Sequence, residues 1–214
     1  RINIYTRVMN MTETLMKMRK KLKGDLDKER YEHTIGVMHT AGCLAMRYGC
    51  DLDQALTAGL LHDCAKCIPN EKKIEMCKKY HLQISAAELA NPGLLHAKLG
   101  AYVAWKKFQI EDEEILRAIA SHTTGRPAMS LLDKIIYIAD FIEPGRTEAP
   151  NLPAVRKLAF CDIDACLYRI LEDSLSYLEN KGVTVDPMTE KTFLYYRDLN
   201  KGESSDYSPE RMEN

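Results

Sequence analysis

Residues 51–63 read Asp51-Leu52-Asp53-Gln54-Ala55-Leu56-Thr57-Ala58-Gly59-Leu60-Leu61-His62-Asp63, and they set the architecture. Asp51 is placed to cap a helix, with Gln54 at the third helical position in a variant of the capping box. Leu52, Ala55, Leu56, Gly59 and Leu60 then make one apolar stripe in steps of three and four. The stripe leads straight into His62-Asp63, so the helix carries an imidazole and a carboxylate toward the side it turns inward. The same pattern recurs at His33, His96, His122 and Asp140. His96 shares a face with Leu99, Gly100 and Val103. His122 follows Ile115 and Ile119, and Asp140 follows Leu132 and Ile136, at helical spacing. A buried carboxylate without a partner costs several kcal/mol, so two of them need compensating charge. Imidazoles and carboxylates converging inside a helical bundle are what a metal site requires.

The chain has 214 residues, enough for one sizeable helical core or two small ones. With 30 basic and 31 acidic residues there is no global field to attract nucleic acid or anionic lipid, so any phosphate-binding charge must be local. Seven cysteines, an odd number in a chain rich in Lys and Glu, read as reduced thiols of a cytoplasmic protein rather than a disulfide framework. Cys64 and Cys67 form a C-x-x-C with no second pair to match, which reads as a half-exposed helix end. No apolar run reaches the roughly 20 residues of a membrane span. Arg1-Ile2-Asn3 lacks the apolar core of a secretory signal.

Helix signals dominate, and the expected class is all-α. A basic helix with a solvated face is expected from about Met11 to Lys23, with Met9 and Met11 as candidate starts. A second runs from about Lys28 to Tyr48 and ends at Gly49. A polar helix is expected from about Glu71 to Tyr80. Asn91-Pro92-Gly93 marks a loop before the helix carrying His96, where Gly100 and Ala104 permit close helix contact. Glu111 to Glu114 put negative charge at the start of the helix ending at His122, where the macrodipole favours it. Ser130 with Asp133 opens the helix ending at Asp140. Beyond it, helices over about 162–180 and 189–200 read as a lid or support, and Val183-Thr184-Val185 is too short to read as a strand. The tail from Lys201 to Asn214 reads as disordered. The expected organisation is an extension and helix over 1–27, one helical domain over 28–200, and the tail.

The ordered set His33, His62-Asp63 and Asp140 resembles the HD-domain superfamily of metal-dependent phosphohydrolases. Four local strings carry a closer likeness: Arg30-Tyr31-Glu32-His33-Thr34, Leu61-His62-Asp63-Cys64-Ala65-Lys66, Ala120-Ser121-His122-Thr123-Thr124-Gly125, and Ile138-Ala139-Asp140-Phe141-Ile142-Glu143-Pro144-Gly145-Arg146. They are similar to the bacterial symmetrical diadenosine tetraphosphate hydrolases, the YqeK family, over about Arg30 to Arg146 and weakly to about Asn200.

The resemblance implies a single HD-domain helical bundle in which His33, His62, Asp63 and Asp140 bind a first metal. His96 and His122 would help hold a second, with Asp63 bridging. Iron is the metal the family implies; a mixed imidazole and carboxylate set also suits manganese or zinc. Two such ions, roughly 3.5–4 Å apart in typical sites, acidify a water and clamp a phosphoryl group. Asp63 and Lys66 are then the expected catalytic residues, Lys66 reaching a phosphate oxygen or the leaving group. Arg146 would fork onto the outer phosphates of one ADP moiety, with Thr123 and Thr124 donating hydrogen bonds beside it. The substrate is expected to be a dinucleoside polyphosphate or nucleotide, the product ADP, and the assembly a homodimer, with no nucleic-acid or membrane partner.

Other residues read more plainly. Any one ligand candidate alone would pass for an ordinary buried or surface residue; the constellation does not. His39 lies 120° around the helix from His33, and His81 sits in a Lys-rich stretch, so neither joins the set. The methionines read as core filler and Glu143 as a helix-end charge. Two further functions stay open on the sequence: an HD phosphohydrolase acting on nucleoside mono- or triphosphates, cyclic dinucleotides or guanosine alarmones, and a non-catalytic di-iron sensor. The second fits less well, since Glu-x-x-His spacing is missing among the ligand candidates.

Overall fold

A computed structural model describes residues 4–182 and 185–205, with side chains placed over 12–182 and 185–200. These residues form eleven α-helices and one 3-10 turn, with no strand among them. In chain order they are α1 (Ile4–Asp25), α2 (Lys28–Tyr48), α3 (Leu52–Leu61), α4 (Asn70–Lys79), α5 (Ala86–Ala90), α6 (Leu95–Phe108), α7 (Glu113–Ser121), α8 (Leu131–Ile142), α9 (Leu152–Leu158), α10 (Ile163–Asn180) and α11 (Pro187–Ser205). The fold is all-α, as the periodicity implied.

The centre is a cluster of α2, α3, α7 and α8, with α6 laid against α7. Leu44, Leu60, Leu61, Ile119, Ile135, Ile136 and Ile138 are fully buried between them. Each such side chain contributes roughly 1.5–3 kcal/mol relative to leaving it in water. Gly100 lets α6 approach the end of α3: a Cβ there would stand 3.3 Å from the His62 carbonyl oxygen and 3.4 Å from Ile119. The missing side chain thus sets how closely His96 is carried toward His62.

Caps fix where the helices start. Asp51 accepts from the Gln54 amide at 3.0 Å, as read. The box is not closed by Gln54, whose Nε2 instead donates to Asp112 Oδ2 at 2.9 Å. Asp112 caps α7 through its other oxygen, so this one amide ties the starts of α3 and α7 together. Ser130 and Asp133 form a full reciprocal box at the start of α8.

Several boundaries differ from expectation. Helix α1 begins at Ile4 rather than near Met11, and its far face is not wholly solvated, because Met18 and Leu22 enter the core. Helix α3 stops at Leu61, and residues 62–67 form tight turns, with Lys66 N donating to Asp63 O at 2.9 Å. Helix α8 runs two residues past Asp140. The short helices α5 and α9 had no long periodic stripe to announce them. Helix α11 continues to Ser205, so the first five residues of the expected tail are helical. Residues 1–3, Val183, Thr184 and 206–214 lie outside the described residues.

Helix α10 packs on α8 and α11 on α10, which makes the last third a support behind the Asp140 helix. The seven cysteines are free thiols. Cys64 is buried, which pushes its thiol well up, whereas Cys67 is exposed. No helix of the described residues is long and apolar enough to cross a membrane.

Candidate metal centre

Five elements deliver the six expected ligands to one point. His33 comes from the second turn of α2 and His62-Asp63 from the turn after α3. His96 is the second residue of α6, His122 caps α7, and Asp140 lies two residues inside the end of α8. The rings stand in a row, with centroids 5.4 Å apart from His33 to His62 and 5.0 Å from His62 to His122 and from His122 to His96.

One local device orients three of the four rings. His62, His96 and His122 each place Nδ1 on the carbonyl three residues back: Gly59 at 2.8 Å, Gly93 at 2.6 Å and Ile119 at 2.7 Å. A carbonyl only accepts, so Nδ1 carries the proton and Nε2 turns a lone pair inward. At His33 the partner of Nδ1 is the Glu143 carboxylate, at 3.1 Å. The Nε2 atoms of His96 and His122 then face each other at 3.0 Å, two acceptors with the Lys66 ammonium and the Thr123 hydroxyl beside them. Among the described residues, His33 Nε2, His62 Nε2 and Asp63 Oδ1 are buried without a hydrogen-bond partner. Orphaned lone pairs aimed at one point fit a metal ion.

Asp63 divides the cluster. Its Oδ2 lies 3.5 Å from His62 Nε2 and 3.9 Å from His33 Nε2, while Oδ1 lies 3.2 Å from His96 Nε2 and 3.5 Å from His122 Nε2. Ligand atoms within 4.8 Å of one another form the groups His33–His62–Asp63, Asp63–His96–His122 and His62–His122–Asp140. The carboxylate faces a set on each side, which suits it to span two ions. Burial alone would raise the Asp63 carboxyl, but His62, His122 and His96 hold it well below the usual range. Asp140 is lowered likewise, its Oδ1 3.0 Å from His33 Nε2. Burial pushes His96 down to about 4, so its ring stays neutral and ready to ligate.

The remaining expected residues surround this centre. Lys66 Nζ lies 3.2 Å from His96 Nε2, and Thr123 Oγ1 lies 3.1 Å from His122 Nε2 and 3.2 Å from His96 Nε2. Thr124 turns its hydroxyl onto the Gly125 carbonyl. Arg146 folds back onto Asp140, donating to its main-chain oxygen at 2.9 and 3.1 Å and to Oδ1 at 3.1 Å. Arg146 thus stands beside Asp140, and Thr123 beside His96 and His122. His39 is exposed and faces away, as read.

Three residues escaped the sequence reading. Glu143 is not a helix-end charge in solvent. It is buried, and it holds His33 through one oxygen and accepts from the Gly145 amide through the other at 2.6 Å. Its carboxylate lies against Gly36, where a Cβ would come within 2.5 Å of Oε2. A carboxylate closing an apolar run before Pro-Gly gave no hint of this. Arg30 donates to Asp63 Oδ2 at 2.8 Å, and its place one turn before His33 was the available signal. Arg156 donates to the carbonyls of Ile142, Glu143 and Arg146, clamping the loop that carries Glu143 and Arg146. No local pattern marks it.

Residues 30–145 match the HD domain family model. The chain is 40% identical over 181 residues to a Bacillus subtilis protein named as a symmetrical bis(5'-nucleosyl)-tetraphosphatase, covering 85% of this chain and 95% of that one. A Staphylococcus aureus protein of the same name is 33% identical, covering 92% of this chain and 96% of its own. A crystal structure from Clostridium acetobutylicum, described as a predicted HD superfamily hydrolase involved in NAD metabolism, superposes with a TM-score of 0.82. It is 41% identical, over 86% of this chain and 96% of that one.

Proposed function

The chain belongs to the HD domain family, and we propose that it hydrolyses diadenosine tetraphosphate symmetrically to two ADP with metal ions held by the histidine–aspartate cluster. The observation that carries this reading is the set of inward lone pairs on His33, His62, His96 and His122, split by the two oxygens of Asp63. The names of relatives that share nearly their whole length with this chain support the substrate.

His33, His62, Asp63 and Asp140 would hold one ion, and Asp63, His96 and His122 a second. The ion is iron on this reading, since imidazole and carboxylate donors suit it, with manganese or zinc compatible with the same set. Bound there, the ions supply an acidified water and neutralise the phosphoryl charge. The chain's own groups do the rest. Arg30 and Arg146 offer cationic donors beside His33 and Asp140, and Lys66 and Thr123 offer donors beside His96. Water adds to one phosphorus of the central P–O–P bridge, that phosphorus–oxygen bond breaks, and the other ADP leaves with the bridging oxygen as protons pass to solvent. A cytoplasmic homodimer completes the proposal.

The test is metal analysis of the purified protein, then incubation with dinucleoside polyphosphates, nucleoside mono- and triphosphates and alarmones, with products resolved by chromatography. Bound transition metal and turnover of the dinucleotide to ADP are expected. Brisk hydrolysis of a mononucleotide beside an untouched dinucleotide would move the chain to a general HD phosphohydrolase.

A further inference from the structure

The balance of 30 basic against 31 acidic residues hides an uneven spread over the surface. The last turns of α1, the helix α4 and the end of α6 build one face rich in lysine. Lys21 Nζ donates to the Lys107 carbonyl at 2.7 Å, and Lys107 Nζ reaches Asp25 at 2.6 Å, which ties α1 to α6. Lys72 and Lys107 stand on the walls of one cavity of about 340 Å³ shared by α1, α4 and α6. Lys79 follows Lys72 two turns on along α4, and Lys106 adjoins Lys107. All five lysines are exposed. Asp25, already paired with Lys107, and Glu75, one turn before Lys79, offset only part of this charge.

Aromatic rings run through the same face. Tyr80, at the C-terminal end of α4, stacks on Tyr102 of α6 with centroids 4.2 Å apart and planes at 20°. Tyr102 meets Trp105 edge-on at 5.8 Å. Lys79 Nζ lies 5.6 Å from the Tyr80 centroid, and Lys106 Nζ 3.2 Å from that of Trp105. Trp105 is 43% exposed, so a large apolar ring forgoes much of the burial that a core would reward. Cations alone would suit any polyanion. Rings interleaved with cations suit one whose phosphates are joined to flat bases.

We propose that this face binds single-stranded nucleic acid, its lysines following the phosphates while Trp105 and the Tyr80–Tyr102 pair offer ring faces to the bases. A duplex keeps its bases within the stack, and lipid headgroups present no ring, so the aromatic run favours a single strand. The expectation of no nucleic-acid partner rested on total charge, which does not register a local face. The face is also apart from the metal centre. Trp105 lies nine residues along α6 from His96, about 14 Å at 1.5 Å per residue. A strand held there leaves the histidine–aspartate cluster open.

Trp105 is the single tryptophan of the sequence, so its emission reports on this face. Titrating the unaltered protein with an oligouridylate of roughly 12 nucleotides, within the usual site size for such surfaces, should quench it. With about four phosphates engaged, affinity should fall roughly fiftyfold between about 50 and 200 mM salt. Lys79→Glu combined with Lys106→Glu, both at exposed positions, should weaken binding about tenfold or more and flatten the salt dependence, at unchanged melting temperature. Trp105→Ala, followed by the anisotropy of a labelled oligonucleotide, should weaken it about tenfold. Arg146→Ala, altered beside the metal centre instead, should bind the strand as the unaltered protein does. No quenching, or equal binding by the double variant, overturns the proposal. Loss of binding in Arg146→Ala overturns it too, since the strand would then sit at the metal centre. A blue shift of Trp105 on phosphatidylglycerol vesicles, with no response to the oligonucleotide, gives the face to a lipid surface and likewise overturns it.

Discussion

Glu143 Oε1 lies 3.1 Å from Nδ1 of His33, and both side chains are largely shut off from solvent. The contact does for His33 what a main-chain carbonyl does for the other three histidines, fixing the ring so that Nε2 faces the cluster. Glu143 is held in turn by the Gly145 amide and confined by Gly36.

Glu143→Ala should therefore lower metal affinity about 10–100-fold, the usual effect of removing an outer partner of a ligating histidine. Gly36→Ala should act in the same direction, since its methyl displaces the carboxylate. Competition with a chromogenic chelator measures both, and unchanged affinity in Glu143→Ala would dismiss the role.

Asp63→Ala and His62→Ala should lose most bound metal and nearly all hydrolysis. Metal binding to the folded state also adds stability by mass action, so chelation should lower the melting temperature of the unaltered protein. Elemental analysis and thermal scans check this; an Asp63→Ala protein with full metal content and turnover would show the centre to be misassigned.

Arg146→Ala should keep its metals, because Arg146 is no ligand, yet bind substrate more weakly. Losing a charge-assisted contact to phosphate costs on the order of 1.5–3 kcal/mol, or roughly ten- to a hundredfold in KM. Metal loss on this substitution would mean instead that its hold on Asp140 is structural.

In the metal-free protein His96 and His33 should pull stability in opposite directions with pH. Burial pushes His96 down to about 4, so the unfolded chain takes up a proton there first and stability falls as pH drops from 6.5 toward 4. His33 moves the other way. Burial lowers it, but Asp140 and Glu143 outweigh that and raise it, so its contribution is complete below 6.5 and is lost as pH rises through the raised value. Chemical denaturation across pH reads the sign, and His96→Gln should flatten the acidic side.

Much of this was legible because helix periodicity and caps are local. Gly49, Asp51, Ser130 and the stripe ending in His62 each announce themselves within a few residues, and the six candidate ligands come together as the stripes implied. What stayed hidden depends on tertiary contact. Gln54 deserts its box for Asp112, Arg156 reaches carbonyls across a loop, and Glu143 is buried only because Gly36 on another helix makes room. The ends of α3 and α8 were misplaced because turns and helix share the same spacing over one step.

Hydrolysis of diadenosine tetraphosphate in oxygen-18 water tests the central claim most directly. The account predicts ADP as the sole nucleotide product, with one label in the terminal phosphate of half the molecules. AMP together with ATP, or label in an inner phosphate, would contradict it.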